Sequence, residues 1–296
     1  MVNVTLAAVL WGTTGVAVVF LSELTPLTPT AIGFYRLLVA AAALLAFAVA
    51  AGRVGPLIRI TRRAPARVVL TGVGLGGYQA LYFVAVAEAG VGVATVVSLG
   101  IAPVVTTAWE TVRARVRPSA RTVVVIAAAL LGLALIGAAT PSGTASRPLA
   151  GLLAAIGSGV VYAVSTLISR DLSQRTDALT LTTTTSIAGA LALLPIAAVQ
   201  GLTFPLRADV VGLLGYTGVV TTAVAYALFY AGLRTVSGSV AAVLTLLEPL
   251  TAALLAVAIL GEPLPALTVA GGVLLLAAVA ALYLRPRAYR AVSVLS

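Results

Sequence analysis

The chain has 296 residues, of which 61% are hydrophobic and 9% charged, with a net charge of +10 and a mean hydropathy of +1.14. That hydropathy excludes an ordinary soluble domain and makes the chain a membrane protein throughout. Cysteine and histidine are absent, which excludes disulfides, thiol chemistry and the usual nitrogen or sulfur metal ligands, so neither a metal nor a cofactor is expected.

Ten apolar runs follow one another, each of about 20 residues, the length that crosses ~30 Å of hydrocarbon as a helix. They fall at 2–21, 32–51, 68–87, 93–112, 122–139, 149–169, 179–199, 210–233, 240–260 and 264–284. The first run lacks a charged leading segment and a small-residue cleavage site, so it reads as a span and not as a signal peptide. Short connections carry the expected breakers: Pro26 and Pro29, Gly52 and Pro56, Pro118, Pro141 and Gly143, Gly201 and Pro205, Pro263 and Pro265.

All of the positive charge is arginine, and its placement speaks for topology and against a nucleic-acid partner. Alternate connections place Arg53, Arg59, Arg62, Arg63, Arg67, Arg113, Arg115, Arg117, Arg121, Arg170, Arg175, Arg234, Arg285, Arg287 and Arg290 on one side. The other side holds Arg147 and Arg207, and Arg36 lies inside the second span. Positive charge stays cytoplasmic, so both termini are expected in the cytoplasm of a multi-pass protein of the cytoplasmic membrane.

The chain also repeats itself. Tyr78-Gln-Ala-Leu-Tyr82 in the third span matches Tyr226-Ala-Leu-Phe-Tyr230 in the eighth, and ATVVSLGIAP ending at Pro103 matches AAVLTLLEP ending at Pro249 with one residue gapped. Five spans per half is an odd number, so the second half enters the membrane inverted, as in secondary transporters. The expected architecture is therefore all-α and polytopic, with repeats at 1–140 and 148–285 and a cytoplasmic tail at 286–296.

Chemistry concentrates where polar residues interrupt the spans. Glu248 stands directly before Pro249 near the middle of the ninth span. A carboxyl is costly there, and the proline removes a backbone donor and disfavours helix at the residue before it. Glu248 can bind a proton or an amine, or simply bond to a neighbouring helix. Pro249 and its counterpart Pro103 are candidate kinks. Arg36 falls about 10 Å below the outer face; it can hold a substrate carboxylate, snorkel outward or pair with an acid. Tyr78 and Tyr82 share one helix face, as do Tyr226 and Tyr230, and the two pairs can line a cavity from opposite halves or serve as interhelical packing. Trp11 and Tyr162, at related depths in the first and sixth spans, have the same two readings.

Other signals carry less. The threonine-rich run 180–186 reads as a polar helix seam. The GxGxxG string at 72–77 lies inside a span with no preceding strand, so it fits close helix contact and not a dinucleotide. Glu88, Glu110 and Glu262 lie at span ends and are expected to be solvated or paired.

Leu10-Trp11-Gly12, Phe34-Tyr35-Arg36, Glu248-Pro249, and Leu260-Gly261-Glu262 followed by Gly271-Gly272, set in ten spans, resemble the drug/metabolite transporter superfamily, EamA type. The resemblance covers 2–139 and 149–284. It implies outward movement of small metabolites such as amino acids, amines or drug-like compounds, and it does not fix a substrate. The first half departs from the second in having Ala102 before Pro103 where the second has Glu248 before Pro249, and in lacking the Gly-Glu pair, so any coupling carboxylate is confined to one half.

The expected activity is secondary transport by alternating access, with proton coupling at Glu248 and a cavity shaped by Trp11, Tyr78, Tyr82, Tyr162, Tyr226 and Tyr230. No P-loop is visible, so an ion gradient or the substrate's own gradient drives it. An uncoupled facilitator or importer, an integral membrane enzyme and a purely structural subunit are the rival readings, though with no His or Cys an enzyme lacks an evident nucleophile or metal set. The expected partners are the small-molecule substrate and the lipid bilayer, and pairing with a second copy is left open.

Overall fold

The structure, a computed structural model, describes residues 1–139, 147–261 and 263–284. Pro141, Gly143, Glu262, Arg285, Arg287, Arg290 and the tail at 286–296 lie outside these. Ten helices long and apolar enough to span a membrane are present: Val2–Leu24, Pro29–Ala50, Pro65–Ala89, Val91–Ala114, Ala120–Ala139, Pro148–Arg175, Ala178–Gln200, Ala208–Leu233, Gly238–Leu260 and Ala266–Tyr283. Helix is the form that satisfies every backbone group within its own segment, which hydrocarbon demands. No strand occurs among the described residues.

The principal packing pairs carry the repeat into three dimensions. The second span packs on the seventh, the fourth on the ninth and the fifth on the tenth. The third span packs on the sixth and seventh, as the eighth does on the first and second, and the sixth lies on the fourth as the first does on the ninth. Adding five to both members of any of these pairs, counting on from ten to one, returns either the same pair or another of the set.

Glycines at the crossings repeat as well. A β-carbon on Gly12 would lie 2.8 Å from the Glu248 carbonyl, and one on Gly159 would lie 2.5 Å from the Ser98 carbonyl. One on Gly72 would lie 2.9 Å from the Thr185 carbonyl, and one on Gly218 would lie 3.2 Å from the Arg36 carbonyl. Without hydrophobic attraction between helices in lipid, such close backbone approach is what holds spans together. Gly72, from the glycine-rich string, thus serves helix contact.

Local chemistry interrupts three spans. The first breaks at Thr13 into Val2–Gly12 and Thr14–Leu24, where glycines at 12 and 15 lower helix propensity and the Thr13 hydroxyl donates to the Leu10 carbonyl at 2.7 Å. The ninth breaks at Leu246 into Gly238–Thr245 and Leu247–Leu260. Pro249 has no N–H for the Thr245 carbonyl, so it is tolerated in the first turn of a new helix, where amide donors have no partner anyway. Pro103, by contrast, sits inside the continuous helix Val91–Ala114, so the two repeat-related prolines have different local outcomes. The eighth span contains a π-helical segment, Val219–Val224. The hydroxyls of Thr221 and Thr222 both donate to the Thr217 carbonyl there, each at 2.8 Å.

Ion pairs tie span ends on the arginine-rich face. Asp171 pairs with Arg67 and, at 3.2 Å, with Arg175, and Asp177 pairs with Arg53 at 3.3 Å. Asp177 also caps the seventh span, accepting from the Thr180 amide at 3.1 Å and the Thr180 hydroxyl at 2.8 Å. Partial burial opposes its charge, but these bonds and Arg53 outweigh that and hold its carboxyl below the usual range. The cap is therefore in place above the ordinary Asp pKa of about 3.9 and weakens as pH falls below it. Asp177→Ala is expected to cost about 1 kcal/mol, read as a lower melting temperature in detergent at pH 7. Glu110 is likewise paired: its carboxylate accepts from the Gly238 amide at 2.7 Å and the Ser239 hydroxyl at 2.6 Å, capping the ninth span.

One helix has no counterpart among the sequence-based spans. Val54–Arg63 lies on the arginine-rich face between the second and third spans, with Leu57 and Ile60 buried.

Candidate functional site

The tyrosine repeat becomes a contact. The hydroxyls of Tyr78 and Tyr226, one from each half and 148 residues apart, meet at 3.1 Å. Below them, towards the arginine-rich face, lies a small cavity of about 10 Å³, room for about one water, walled by the rings of Tyr78, Tyr162, Tyr226, Phe229 and Tyr230. Its polar lining is hydroxyl, from Thr71 on the third span and Ser165, Thr166 and Ser169 on the sixth. The third span rises from that face through Thr71 to Tyr78, and the eighth descends to it through Tyr226 and Tyr230, which sets the cavity's direction.

The walls are fixed by ring contacts and by cross-span hydrogen bonds. Tyr78 packs on Tyr162 at 5.2 Å between centroids, and Tyr226 on Tyr230 at 5.9 Å. The Ser158 hydroxyl donates to the Tyr78 carbonyl at 2.8 Å, joining the sixth span to the third at this depth. Trp11 stands behind the wall, 4.8 Å from Tyr226 and 5.2 Å from Phe229, and does not line the cavity. Tyr82 is also off it, hydrogen-bonded to Thr95 at 2.8 Å, so the first pair divides between wall and packing while the second pair lines the cavity whole.

Arg36 and Glu248 are half-buried and both outside the cavity lining. Each is close enough to act electrostatically on the other and on Tyr78. No salt bridge among the described residues includes either one. The Arg36 Nε is buried without a hydrogen-bond partner. The same holds for the Gln79 Oε1, the Trp11 Nε1 and the Thr14 hydroxyl. Buried polar atoms normally find partners, and with the Thr71 hydroxyl five such orphans lie in the first three spans. Gly12, against the Glu248 carbonyl, locks the first span to the break that presents Glu248.

Sequence reasoning passed over several of these residues. Gln79 had a signal, being a primary amide beside Tyr78 in an apolar span; its Oε1 comes to 3.0 Å from where a β-carbon on Gly33 would be, one turn before Arg36. Phe229, Ser158 and Ser169 had none, since apolar and small hydroxyl residues occur throughout such spans.

The Tyr78–Tyr226 bond predicts a non-additive pair. Tyr78→Phe and Tyr226→Phe each remove the same contact, so the double variant should be little less stable than either single one. A coupling of about 0.6 kcal/mol is expected, the average for hydrogen bonds between helices in membranes. Thermal unfolding of the four proteins in one detergent measures it.

A family model described as the EamA-like transporter family matches residues 1–138 and 149–284. A curated protein of Bacillus subtilis (strain 168), the uncharacterized transporter YwfM, is 33% identical over 227 residues, which is 76% of this chain and 73% of that protein. A solved crystal structure superposes with a TM-score of 0.80 over 95% of each chain at 20% identity, which speaks for the fold alone.

Proposed function

Because the chain belongs to the EamA-like transporter family, we propose that it exports small metabolites bearing an amino group, in exchange for protons, across the cytoplasmic membrane. Amino acids and amines with an apolar or aromatic side chain fit best. The observation that carries this reading is the pair of opposite charges, Arg36 and Glu248, within the bilayer and within electrostatic range, yet not joined to each other or to another described residue. Ionisable groups inside a membrane mark ion and substrate pathways, and unpaired ones are costly unless a ligand completes them.

In this reading the arginine-rich face is cytoplasmic, so the cavity lies on the loading side. As it opens, its aromatic rings part to receive the apolar or aromatic side chain. An ionised Glu248 attracts the ammonium group, and Arg36 meets the carboxylate where there is one. The two halves then rock about the Tyr78–Tyr226 contact and open the site outward. A proton arriving from outside neutralises Glu248, the ammonium loses its partner and leaves, and the proton departs inside on the return.

The test uses protein in sealed proteoliposomes and compares an aromatic amino acid with the amine made by removing its carboxyl group. Accumulation of both under an imposed proton gradient is expected. Arg36→Gln should weaken the amino acid at least about tenfold and leave the amine unchanged, since one charged hydrogen bond is worth about 1.5–3 kcal/mol. Transport indifferent to the gradient would replace coupled export by facilitated diffusion. Equal loss of both substrates would remove Arg36 from carboxylate recognition.

A further inference from the structure

The helix Val54–Arg63 is amphipathic in a way the transport reading does not use. Leu57 and Ile60 face inward and are buried, while Arg59, Arg62 and Arg63 project from the opposite side, three and four residues apart and so on one face. Ile58 lies at the seam between the two faces and is 49% exposed.

The neighbouring charges are accounted for. Arg53 and Arg67 pair with Asp177 and Asp171, and Glu110 is engaged at the start of the ninth span. Arg59, Arg62 and Arg63 pair with no acid among the described residues, which leaves three neighbouring cations beside an exposed isoleucine at the membrane's edge.

We propose that this helix is a docking surface for anionic phospholipid, with the three guanidinium groups holding headgroup phosphates and Ile58 set into the first part of the acyl region. Guanidinium matches phosphate geometry with paired donors, and its long apolar stem lets it reach headgroup level from a helix lying in the interface. Basic clusters on an amphipathic helix at the membrane surface attract anionic lipid, and an apolar edge adds the burial that free phosphate in water cannot supply. The surface anchors the connection between the second and third spans, which bear Arg36 and Tyr78, to the leaflet on the arginine-rich face. The inference does not depend on the substrate or on proton coupling.

Native mass spectrometry of the full chain with added phosphatidylglycerol or phosphatidylcholine tests it, using wild type, R59Q/R62Q/R63Q and the control R113Q/R115Q/R117Q, which removes equal charge elsewhere on the same face. Phosphatidylglycerol should bind in preference, weakening with salt, and the first triple variant should lose roughly fivefold per arginine removed while the control stays near wild type. Equal loss in both triples would mean diffuse attraction to a positive face, and displacement by millimolar inorganic phosphate would mean a soluble anion site. Either result overturns the proposal.

A second measurement needs no arginine change. The chain has no native cysteine, so a nitroxide on I58C reports one position. It should sit deeper in phosphatidylglycerol vesicles than in phosphatidylcholine vesicles, and equal depth in both sinks the idea.

Discussion

Glutamine at position 248 is expected to end proton-driven accumulation and to weaken binding of the ammonium group, so that the transport that remains runs only down the substrate's own gradient. The amide has the size of the carboxyl but cannot take up or release a proton. One pH unit across the membrane stores about 1.4 kcal/mol per proton, which supports about a tenfold substrate ratio at one proton per cycle. Wild-type proteoliposomes should reach that ratio, and Glu248→Gln should settle near unity. A purely structural carboxyl predicts a different pattern. No described residue donates a hydrogen bond to Glu248, so the amide breaks no contact and removes an ionisable group that is costly in hydrocarbon. The variant should therefore fold and melt at least as high as wild type. A Glu248→Gln protein that still accumulates substrate tenfold would move coupling elsewhere; one that loses stability together with transport would make Glu248 a packing residue.

The sequence was readable wherever the bilayer itself imposes the rule. Hydrocarbon forces apolar runs into helices, so all ten spans were visible, and the helix ends differ from the apolar runs by a few residues because helices continue past the hydrocarbon into the interface. The tyrosine repeat was visible because two halves related by inversion need matching side chains at one depth. Sequence periodicity shows which residues share a helix face, but not which neighbour that face meets. That is why Tyr82 was grouped with Tyr78 although it turns to Thr95. The breaks at Thr13 and Leu246 and the π segment Val219–Val224 depend on cross-span packing and on hydroxyls that cap stray carbonyls. No single span's composition shows these. The helix Val54–Arg63 was hidden for another reason: it is too short and too charged to register against a search for spans, and its apolar–basic alternation over one connection reads as punctuation.

Gly12 and Gly159 separate what the two halves share from what they do not, and crowding each is the second large effect. Both glycines sit where one span's backbone meets another: a β-carbon on Gly12 would approach Thr251 and come 2.8 Å from the Glu248 carbonyl, and one on Gly159 would come 2.5 Å from the Ser98 carbonyl and 2.9 Å from the Ile101 β-carbon. A methyl group cannot fit at those distances without displacing backbone, so Gly12→Ala and Gly159→Ala should each cost about 1–3 kcal/mol of stability. Function should divide them. At Gly12 the displaced backbone belongs to the turn that presents Glu248, whereas at Gly159 it belongs to the fourth span, where Ala102 stands before Pro103 and no carboxylate exists to be moved. Gly12→Ala should therefore cut proton-coupled transport about tenfold or more, the rate equivalent of ~1.4 kcal/mol, and also lower the substrate ratio reached at a fixed proton gradient. Gly159→Ala should slow transport but reach the wild-type ratio, because its damage lies in motion and not in coupling. Ratios lowered equally by both variants would mean that the two crossings act as one unit and that the carboxylate's position is not what sets coupling. The test is decisive because the repeat supplies its own control: the same steric change at two inversion-related crossings, only one of which carries an acid.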